Sequence, residues 1–247
     1  MQPKLITIVP TRSRPFHVKR VVDAWIETGA FGHGAELLFV IDADDPAHDA
    51  YVEQLEFSAA AIPNERRVME WFTAAKWAPL VPKLNAAAEH VLTVRDPFAI
   101  GFAGDDHVPR TFGWADAYLR ELLADGVGIV YGDDGYQGEN LPTEWAMRSS
   151  IVRALGGRMI PAPVEHLYCD NAVRELGREA GVLRYLSAVR IEHMHPVAGK
   201  ADPDEQYERV NSHVQYRADR PAYRRWRRDT LPGEALTVRR LFEGETA

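Results

Sequence analysis

The segment FAIGFAGDDHVPR, residues 98–110, decides the fold of this chain and contains its most informative polar residues. Its apolar first half predicts a buried strand, and Asp105, Asp106 and His107 follow directly after a glycine. Two carboxylates and an imidazole would therefore lie at the carboxyl end of a strand, where open α/β sheets bind their ligands. Carboxylate oxygens with one imidazole suit a divalent ion, so this segment predicts a site for Mn²⁺ or Mg²⁺.

The N-terminal part of the chain predicts the rest of the sheet. Apolar runs at residues 5–9 and 37–41 have the composition of strands that are buried on both faces. Residues 18–26, between them, carry apolar side chains at helical spacing. This strand–loop–helix–strand order favours a parallel sheet with right-handed crossovers. We therefore expect an α/β fold with a mostly parallel, Rossmann-like central sheet flanked by helices.

Periodicity predicts further elements along the chain. Helices are expected at residues 47–57, 83–92, 112–123 and 171–180, strands at 127–131 and 183–191, and a strand leading into a helix at 147–155. Residues 62–69 are ambiguous and can contain a short strand. From residue 200 onward the pattern weakens and arginines become frequent. We therefore divide the chain into a domain at 1–199 and an Arg-rich, irregular extension at 200–247 that packs on or near the active site.

Length and composition are those of an ordinary globular protein of 247 residues, enough for one large domain with an appendage. A formal net charge of −7 excludes a protein that binds polyanions over its whole surface, although arginines are concentrated near the C-terminus. Cys169 is the only cysteine, which rules out an internal disulfide bond and fits a reducing compartment. Residues 1–9 lack the apolar core of a signal peptide, and no apolar run is long enough to span a bilayer, so we expect a cytoplasmic protein.

Several short motifs, taken in order, resemble those of GT-A fold glycosyltransferases of the broad family-2-like group, which use nucleotide sugars. The motifs are LITIVPTRSRP at residues 5–15, FVIDADDP at 39–46, KLNAA at 83–87, GDDH at 104–107, MRSSIVRALGG at 147–157, HLYCDN at 166–171 and EHMHP at 192–196. The resemblance covers residues 4–195. In it, the first motif corresponds to the nucleotide loop, GDDH to the metal-binding DxD motif, and HLYCDN lies near the acceptor-side acid.

This resemblance implies a metal-dependent glycosyltransferase of the hexosyltransferase type. The enzyme would move a sugar from a nucleoside-diphosphate donor, for which we expect a UDP-sugar, to a hydroxyl group of a glycan or of a hydroxymethylated base in DNA, with inversion favoured. Some phage-encoded glycosyltransferases that modify DNA bases share this general pattern, and a phage origin would place the protein in the host cytoplasm. A divalent ion would offset the negative charge that grows on the departing diphosphate.

The resemblance implies that the metal ligands lie in two segments of the chain. Asp105, Asp106 and His107 would bind the ion from one side, and His193 or His195 would complete its coordination, because residues two apart in a strand point the same way. His107 occupies the third position of the DxD-like motif, where the family has an aspartate. This departure leaves open whether Asp105 pairs with His107 or whether Asp106 is the main ligand. The alternative for the cluster is a cap for the helix expected near residue 111.

Polar residues after the first two strands and at the start of a later helix are candidates for binding the donor. These candidates are Pro10, Thr11, Arg12, Arg14, Asp42, Asp44, Lys83 and Asp105. Arginine suits bidentate contacts with phosphate, and the aspartates would accept hydrogen bonds from ribose hydroxyls or a base N–H. The alternatives are a solvated loop for the arginines, a capped turn for the aspartates and an exposed helix start for the lysine.

An inverting enzyme needs a base that takes the proton of the acceptor hydroxyl. Asp170 is the first candidate, Glu165 the second and His166 the third, whereas a retaining enzyme would need none. The alternative for Asp170 is a cap of the helix expected at 171–180. The expected acceptor contacts are Asp133, Asp134, Trp145, Arg224 and Arg225. The alternatives for these are a plain turn, a core position and a solvated helix.

The tail YRADRPAYRRWRRD, residues 216–229, interleaves arginines with aromatic residues. Such a pattern can bind a phosphate backbone and stack on bases. It also suits a lid over the donor diphosphate, or a helix solvated by its arginines. The rival functions are therefore a nucleic-acid-binding protein on an inactive transferase fold, and a nucleotidyltransferase. The latter is disfavoured because the first loop lacks the glycine-rich, basic signature of that class.

Overall fold

We describe a computed structural model of the protein over residues 3–62, 69–74 and 78–243. The strands are β1 (Leu5–Thr11), β2 (Ala35–Asp42), β3 (Met69–Ala74), β4 (Ala99–Phe102), β5 (His107–Pro109), β6 (Ile129–Asp133), β7 (Trp145–Arg148) and β8 (Leu183–His193). The helices are α1 (Pro15–Glu27), α2 (His48–Ala60), α3 (Leu80–Val94), α4 (Trp114–Leu123), α5 (Ser149–Ala154), α6 (Cys169–Ala180), α7 (Glu205–Val210), α8 (His213–Asp229) and α9 (Leu231–Arg240). None of the helices in these ranges has the length and apolar character needed to cross a bilayer.

The strands form a mixed sheet in the order β3-β2-β1-β4-β7-β6-β8-β5. In the main part of this sheet β3, β2, β1 and β4 are mutually parallel, β6 is parallel to β8, and β7 runs antiparallel to both of its neighbours. β5 adds a short antiparallel pair to β8 at the edge. Every residue of β2 is buried, as expected for a strand that is covered on both faces. The predicted α/β class with a mostly parallel sheet is confirmed.

Side-chain alternation along the parallel strands divides the core into two layers. In β1, Ile6 and Ile8 belong to the layer formed with α3, α5 and α6, whereas Leu5 and Val9 belong to the layer formed with α1, α2 and α4. Helices therefore cover both faces of the sheet. The edge formed by the carboxyl ends of the strands is left for the polar residues.

That edge brings together residues that are far apart in the sequence. β1 ends at Thr11, β2 ends at Asp42, and Asp105 follows β4 by a short loop. Because parallel strands end on the same side of a sheet, these polar residues meet there. The register of β5 with β8 adds a second element, since it sets His107 directly opposite His193.

The sequence after residue 200 is more regular than its pattern indicated. Tyr223 and Trp226 of α8 and Leu231 and Val238 of α9 are buried in the same core layer as α6. Burying one such side chain stabilises a fold by about 1.5–3 kcal/mol. The extension therefore packs closely on the main body, while its treatment as a separate unit stays a prediction.

Two capping alternatives from the sequence do not match the structure. Gly113 is the N-cap of α4, so the cluster that starts at Asp105 does not cap that helix. α6 begins behind Tyr168, and Asp170 lies within its first turn without capping it. Of the ambiguous residues 62–69, residues 63–68 lie outside the described ranges, and β3 begins at residue 69.

A buried carboxylate holds α8 against the segment that precedes α6. Asp219 is 1% exposed, and it accepts hydrogen bonds from the backbone N–H groups of Glu165 at 2.7 Å, His166 at 3.1 Å and Leu167 at 2.8 Å. The side chain of Gln215, one turn earlier in α8, donates to it at 2.9 Å. Without this carboxylate the three backbone donors would lose their protein partner. α8 thereby fixes the path of the chain just before α6.

Replacing Asp219 with alanine is expected to lower the free energy of unfolding by about 2–4 kcal/mol. Each buried N–H left without a partner costs about 1–3 kcal/mol, and water can reach part of this site once the carboxylate is gone. Urea unfolding followed by circular dichroism measures the change. Asp229→Ala, at the exposed end of the same helix, is the matched control and should change stability by less than about 0.5 kcal/mol. Equal effects of the two substitutions would contradict the anchoring role.

Candidate active site

A cleft of about 500 Å³ opens at the carboxyl edge of the sheet, between the loop after β1, the starts of α3 and α6, and residues 207–215. The sequence-predicted residues that line it are Pro10, Thr11, Arg12, Arg14, Lys83, Asp105, Asp106, His107, His166, Asp170, His193 and His195. Those outside its lining are Asp42, Asp44, Asp133, Asp134, Trp145, Glu165, Arg224 and Arg225. The fold thus gathers the metal candidates and most of the donor candidates, and separates most acceptor candidates from them.

Asp106, His107 and His193 form a compact group in this cleft, with ligand atoms that all lie within 4.8 Å of one another. Asp106 Oδ1 is 3.2 Å from His107 Nδ1, and Asp106 Oδ2 is 3.4 Å from His193 Nε2. The two imidazole rings stack at 4.1 Å, because their residues are opposite each other in the β5–β8 pair. One carboxylate and two imidazoles therefore converge from two strands.

The immediate surroundings of this group suit a cation. His107 Nδ1 accepts a hydrogen bond from the Gly104 N–H at 3.0 Å, so it carries no proton and faces a carboxylate oxygen of Asp106. Two electron-rich atoms this close repel each other unless a positive charge lies nearby. A Cβ at Gly104 would collide with both Asp106 and His107. This donor set, with two imidazoles, suits Mn²⁺ better than Mg²⁺, which prefers oxygen ligands.

The pKa values of this group favour an ionised Asp106, a charged His193 and a neutral His107. Burial alone would raise the pKa of Asp106, but its contacts with His107 and with the charge of His193 hold it well below its usual value. Burial also opposes a charge on His193, yet the nearby carboxylates of Asp106 and Asp134 raise its pKa to about 9. Burial and the charge of His193 lower the pKa of His107. At neutral pH one imidazolium therefore supplies the positive charge that a metal ion would replace.

A second layer of side chains fixes the orientation of both histidines. Thr143 Oγ1 donates to Asp134 Oδ2 at 2.9 Å, so it accepts from His107 Nε2 at 3.3 Å. With its proton on Nε2, His107 presents the lone pair of Nδ1 toward Asp106. Asp134 Oδ2 also lies 3.9 Å from His193 Nδ1, which leaves His193 Nε2 directed at Asp106. One carboxylate thus supports two candidate ligands from behind, as outer-shell partners commonly do.

Asp134 is engaged inside the protein instead of facing an acceptor. It is 2% exposed, and its Oδ1 accepts hydrogen bonds from the backbone N–H groups of residues 136, 137 and 138 at 2.8, 2.6 and 2.9 Å. Burial alone would raise its pKa, but the nearby His193 and the hydrogen bonds from this backbone hold the pKa well below its usual value. Asp133 pairs with Arg190 at 3.1 Å. Burial corrects the expectation that Asp134 binds sugar hydroxyls, whereas the expected sugar contact of the partly exposed Asp133 stays a prediction.

The structure turns Asp105 away from the candidate metal group and toward the loop after β1. Its Oδ2 accepts a hydrogen bond from Thr11 at 2.7 Å, and its Oδ1 pairs with Arg14 at 3.1 Å. Arg20 donates to its backbone carbonyl at 3.0 Å. Because the side chain is already used in this way, the expectation that Asp105 binds the metal is corrected. Of the two neighbouring acids, Asp106 is the one that joins the histidines.

His195 also lies outside the candidate metal group. β8 ends at His193, but His195 keeps an extended backbone, and its ring lies edge-on to the ring of His193 with 4.8 Å between the centroids. His195 Nδ1 accepts the N–H of Val197 at 3.2 Å, and its ring stacks on Tyr136 at 5.6 Å. It lines the cleft beside the group of three without belonging to it, and its expected role as a ligand stays a prediction.

A buried acid positions two cations at the cleft. Asp42 is fully buried and pairs with Arg12 at 2.9 Å and with Lys83 at 2.6 Å. Asp44 gives Arg12 a second acidic partner at 2.9 Å. The expected direct contact of Asp42 with a donor is therefore corrected, since its side chain is enclosed. Its effect is to hold Arg12 and Lys83 where an anionic group in the cleft would meet them.

Arg14 joins the loop after β1 to the segment just before α7. Its Nη1 bonds to Asp105, and its Nε and Nη2 form a bidentate pair with Asp204 at 2.6 and 2.7 Å. Burial opposes the charge of Arg14, but the hydrogen bonds with Asp204 and the charge of Asp105 raise its pKa. Asp204 was not predicted from the sequence. Its one local signal is an aspartate at a helix N-cap, where its side chain accepts the N–H of Tyr207 at 2.8 Å.

Asp170 is the acid that α6 contributes to the cleft lining, from the first turn of that helix. Burial raises its pKa to about 7, and the negative charges of Asp134 and Asp106 act in the same direction. Its Oδ1 accepts a hydrogen bond from Cys169 Sγ at 3.3 Å. A carboxylate with this pKa can take a proton near neutral pH, which is what a general base must do.

The other acceptor-side candidates lie in different surroundings. Glu165 is exposed, accepts a hydrogen bond from Gln215 at 3.3 Å and lies outside the cleft lining. His166 lines the cleft, and burial lowers its pKa to about 4. Trp145 is 1% exposed and packs against Phe102 at 4.5 Å in the core, so the expectation that it contacts a sugar is corrected.

Two residues at this cleft were not found from the sequence. Thr143 gave no motif, since a single threonine in a loop has no pattern of its own. Tyr168 lies at the N-terminus of α6 with a φ of 68°, in the left-handed region that bulky residues rarely adopt. Such strain is frequent at functional sites. Arg224 lines a separate groove on α8, and Arg225 is exposed on the same helix.

Comparison with solved structures identifies the fold. The mannosyltransferase PcManGT from Pyrobaculum calidifontis, in complex with GDP-Man and Mn²⁺, is similar over 96% of this chain and 73% of its own, with 15% identity and a TM-score of 0.62. Glucosyl-3-phosphoglycerate synthase from Mycobacterium tuberculosis, in complex with Mg²⁺ and UDP, is similar over 80% of this chain and 74% of its own, with 8% identity and a TM-score of 0.53. TarS from S. aureus is similar over 85% of this chain and 44% of its own, with 12% identity and a TM-score of 0.52.

These neighbours are GT-A glycosyltransferases, and the chain has the GT-A fold that its motifs predicted. No protein-family model and no curated protein matches the sequence. At identities this low, the likeness concerns the fold, and the activity has to be argued from the site.

Replacing Thr143 with valine removes the hydroxyl group that links His107 to Asp134 while keeping the side-chain shape. We expect the affinity for Mn²⁺ to fall about 10–100-fold, the range found when an outer partner of a metal-binding histidine is lost. Titration of Mn²⁺ followed by electron paramagnetic resonance measures it without any substrate. Thr237→Val, on the exposed face of α9, is the control and should bind Mn²⁺ as the wild type does. An unchanged affinity in Thr143→Val would contradict the orienting role.

Proposed function

We propose that this protein is a metal-dependent glycosyltransferase that moves a sugar from a nucleoside-diphosphate donor to a hydroxyl group of an acceptor. The observation that carries the proposal is the group of Asp106, His107 and His193 at the carboxyl edge of a GT-A sheet, with Arg12 and Lys83 at the same cleft. The GT-A structures with GDP-Man and Mn²⁺, and with UDP and Mg²⁺, support this class of donor and this kind of ion.

The proposed donor site uses the residues around the nucleotide loop. Asp106, His107 and His193 would hold Mn²⁺ or Mg²⁺, which when bound supplies positive charge that stabilises a departing diphosphate. Arg12 and Lys83, which Asp42 holds in place, bind the phosphate oxygens through charge-assisted hydrogen bonds. We take a UDP-sugar as the donor.

The loop after β1 completes the proposed donor contacts. Pro10 and Thr11 line the cleft at the end of β1 and would lie along the nucleoside. Arg14, which bridges Asp105 and Asp204, adds positive charge on this side of the cleft. Two of its nitrogens already bind Asp204, so a bound diphosphate would compete with that aspartate for the guanidinium.

The acceptor hydroxyl is proposed to react on the side of Asp170. Its oxygen forms a bond to the anomeric carbon while the bond from that carbon to the diphosphate oxygen breaks, and Asp170 takes the hydroxyl proton. Attack from the face opposite the leaving group inverts the configuration of the sugar. The acceptor hydroxyl belongs to a glycan or to a hydroxymethylated base in DNA.

Replacing Asp106 with asparagine is expected to lower Mn²⁺-dependent hydrolysis of the donor at least about 100-fold, because the charge stabilisation supplied by a bound ion is worth several kcal/mol. The assay follows release of nucleoside diphosphate from a set of UDP- and GDP-sugars. Mn²⁺ should support a higher rate than Mg²⁺ at equal concentration, since two of the ligands are imidazoles.

Asp116→Asn, an exposed acid on α4, serves as the control for that experiment and should retain the wild-type rate. Release of pyrophosphate in place of nucleoside diphosphate would point to nucleotidyl transfer instead. A wild-type rate in Asp106→Asn would remove the metal site from the proposal.

The rate of sugar transfer is expected to depend on the ionisation of Asp170. Its pKa in the folded protein is about 7, so the carboxylate is ionised above that pH and protonated below it. The rate should therefore fall about tenfold for each pH unit below 7 and level off above it. Asp170→Asn should lower kcat about 10²–10⁴-fold and remove this dependence.

Glu165→Gln is the matched comparison for the base, because Glu165 was the second candidate and lies outside the cleft lining. It should keep both the rate and the pH profile of the wild type. If Asp170→Asn kept the pH dependence of the rate and Glu165→Gln lost it, Glu165 would be the base in place of Asp170. A pH-independent rate in the wild type would contradict a carboxylate base.

A further inference from the structure

α8 carries a row of basic side chains that leads away from the cleft. Tyr216, Arg220, Arg224 and Arg227 follow one another at intervals of four, four and three residues, which places them along one face of the helix. At 1.5 Å per residue the row is about 16 Å long. The three arginines of this row line an open groove of about 560 Å³, and Tyr216 lies one helical turn before Arg220. The lining of this groove consists of Tyr168, Arg220, Tyr223, Arg224, Arg227 and Arg228.

Two arginines in this groove are available to a ligand. Arg227 pairs with Glu175 at 3.2 Å, and Arg228 pairs with its neighbour Asp229. Arg220 and Arg224, between these pairs and the cleft, contact no acidic side chain among the described residues. A planar guanidinium group presents its donors in a fork that matches phosphate oxygens. The middle of the groove is therefore suited to phosphate groups.

The groove is continuous with the cleft through one side chain. Tyr168 lines both the groove and the cleft, and it lies two residues before the proposed base, Asp170. Its ring stacks on Tyr223 at 4.9 Å with an angle of 13° between the planes. The strained φ of 68° at Tyr168 is what directs the chain so that the ring stands at this junction.

The aromatic residues of α8 divide into buried and exposed members. Tyr223 and Trp226 are 9% and 2% exposed, so they serve the core and are not free to stack on a ligand. Tyr216 is 43% exposed and lies edge-on to Tyr168 at 6.3 Å. Of the arginines and aromatic residues that alternate in the sequence, the exposed ring of Tyr216 and the two available arginines, Arg220 and Arg224, can therefore contact a ligand together. Arg225, a predicted contact, lies outside this groove.

We propose that Tyr216, Arg220 and Arg224 bind the acceptor as a strand of nucleic acid that runs along α8 into the cleft at Tyr168. This proposal rests on the proposed function and names its acceptor class. The arginines bind consecutive phosphates, and the exposed ring of Tyr216 stacks on a base, which is how proteins hold single strands. An acidic peptide would satisfy the arginines but would leave the exposed ring without a stacking partner.

The experiment compares binding of a short, labelled single-stranded DNA with binding of poly-glutamate over a series of salt concentrations, by fluorescence anisotropy. The wild type should bind the DNA and bind poly-glutamate much more weakly. Arg220→Gln/Arg224→Gln should weaken DNA binding at least about tenfold and reduce the slope of log affinity against log salt by about 1.4, the value for two phosphate contacts on a single strand. Tyr216→Ala should weaken binding about tenfold with an unchanged slope.

Arg217→Gln/Arg225→Gln is the matched control, because it removes the same charge from exposed positions of the same helix that do not line the groove. An equal loss in this control would overturn the proposal in favour of a diffuse basic surface. Equal binding of poly-glutamate and DNA by the wild type would overturn it in favour of an acidic protein partner. Thermal melting of each variant, expected at the wild-type temperature because all five positions are exposed, excludes unfolding as the cause.

The outcome is separable from that of the proposed transferase activity. Release of nucleoside diphosphate by the wild type without any binding of DNA would remove the nucleic-acid acceptor and leave the transferase. Binding of DNA through Arg220 and Arg224, without turnover of any nucleotide sugar, would remove the transferase and leave the groove.

Discussion

The antiparallel pairing of β5 with β8 sets His107 opposite His193, and the candidate metal group depends on this short contact. β8 first runs parallel to β6, and that pairing is interrupted by an irregularity at Gly132 and Asp133. Beyond it, the last residues of β8 pair with β5 instead. Bulges of this kind bend a strand and re-aim its side chains, and they are common beside active sites. The break in the β6–β8 ladder is therefore what allows a late histidine to reach the loop after β4.

Support for this contact comes from a buried carboxylate that belongs to the same irregular region. Asp134 follows β6 directly and holds the next turn by accepting its backbone N–H groups. It contacts His107 through the hydroxyl group of Thr143, and it approaches His193 directly. Its charge stays buried because donors surround it on several sides. The turn after β6, the ring of His107 and the ring of His193 therefore cannot be repositioned independently. Such coupling suits a site whose ligands must keep a fixed geometry.

The sequence predicted the fold, and it predicted that polar residues gather at one edge of the sheet, because both depend on local patterns. Apolar runs followed by polar residues mark the carboxyl ends of β1, β2 and β4. Because these strands are parallel, their carboxyl ends lie at the same edge of the sheet. The roles of individual side chains were predicted less well. Asp105 and Asp106 are adjacent and chemically identical, and only the pairing of Asp105 with Thr11 and Arg14 decides which acid is left for an ion.

Failures on the acceptor side have the same origin in long-range contacts. Trp145 is core because Phe102 packs against it, and β8 ends at His193, two residues before His195. Neither packing partners nor the end of a strand can be read from spacing alone. Arg224 and Arg225 are neighbours in an arginine-rich run, yet the rotation of α8 places one in the groove and the other outside it.

α8 ties these two sides of the molecule together, because the same helix serves the core, the cleft and the basic groove. Tyr223 and Trp226 bury one face, and Asp219 fixes the backbone before α6 by accepting its N–H groups. The arginines occupy the remaining face, and their position relative to Asp170 is set by that buried face. A helix held only by its exposed charges could not keep such a position, since surface ion pairs contribute about 1 kcal/mol or less each. The apolar face and the buried carboxylate of α8 therefore determine where an acceptor on its outer surface would meet the cleft.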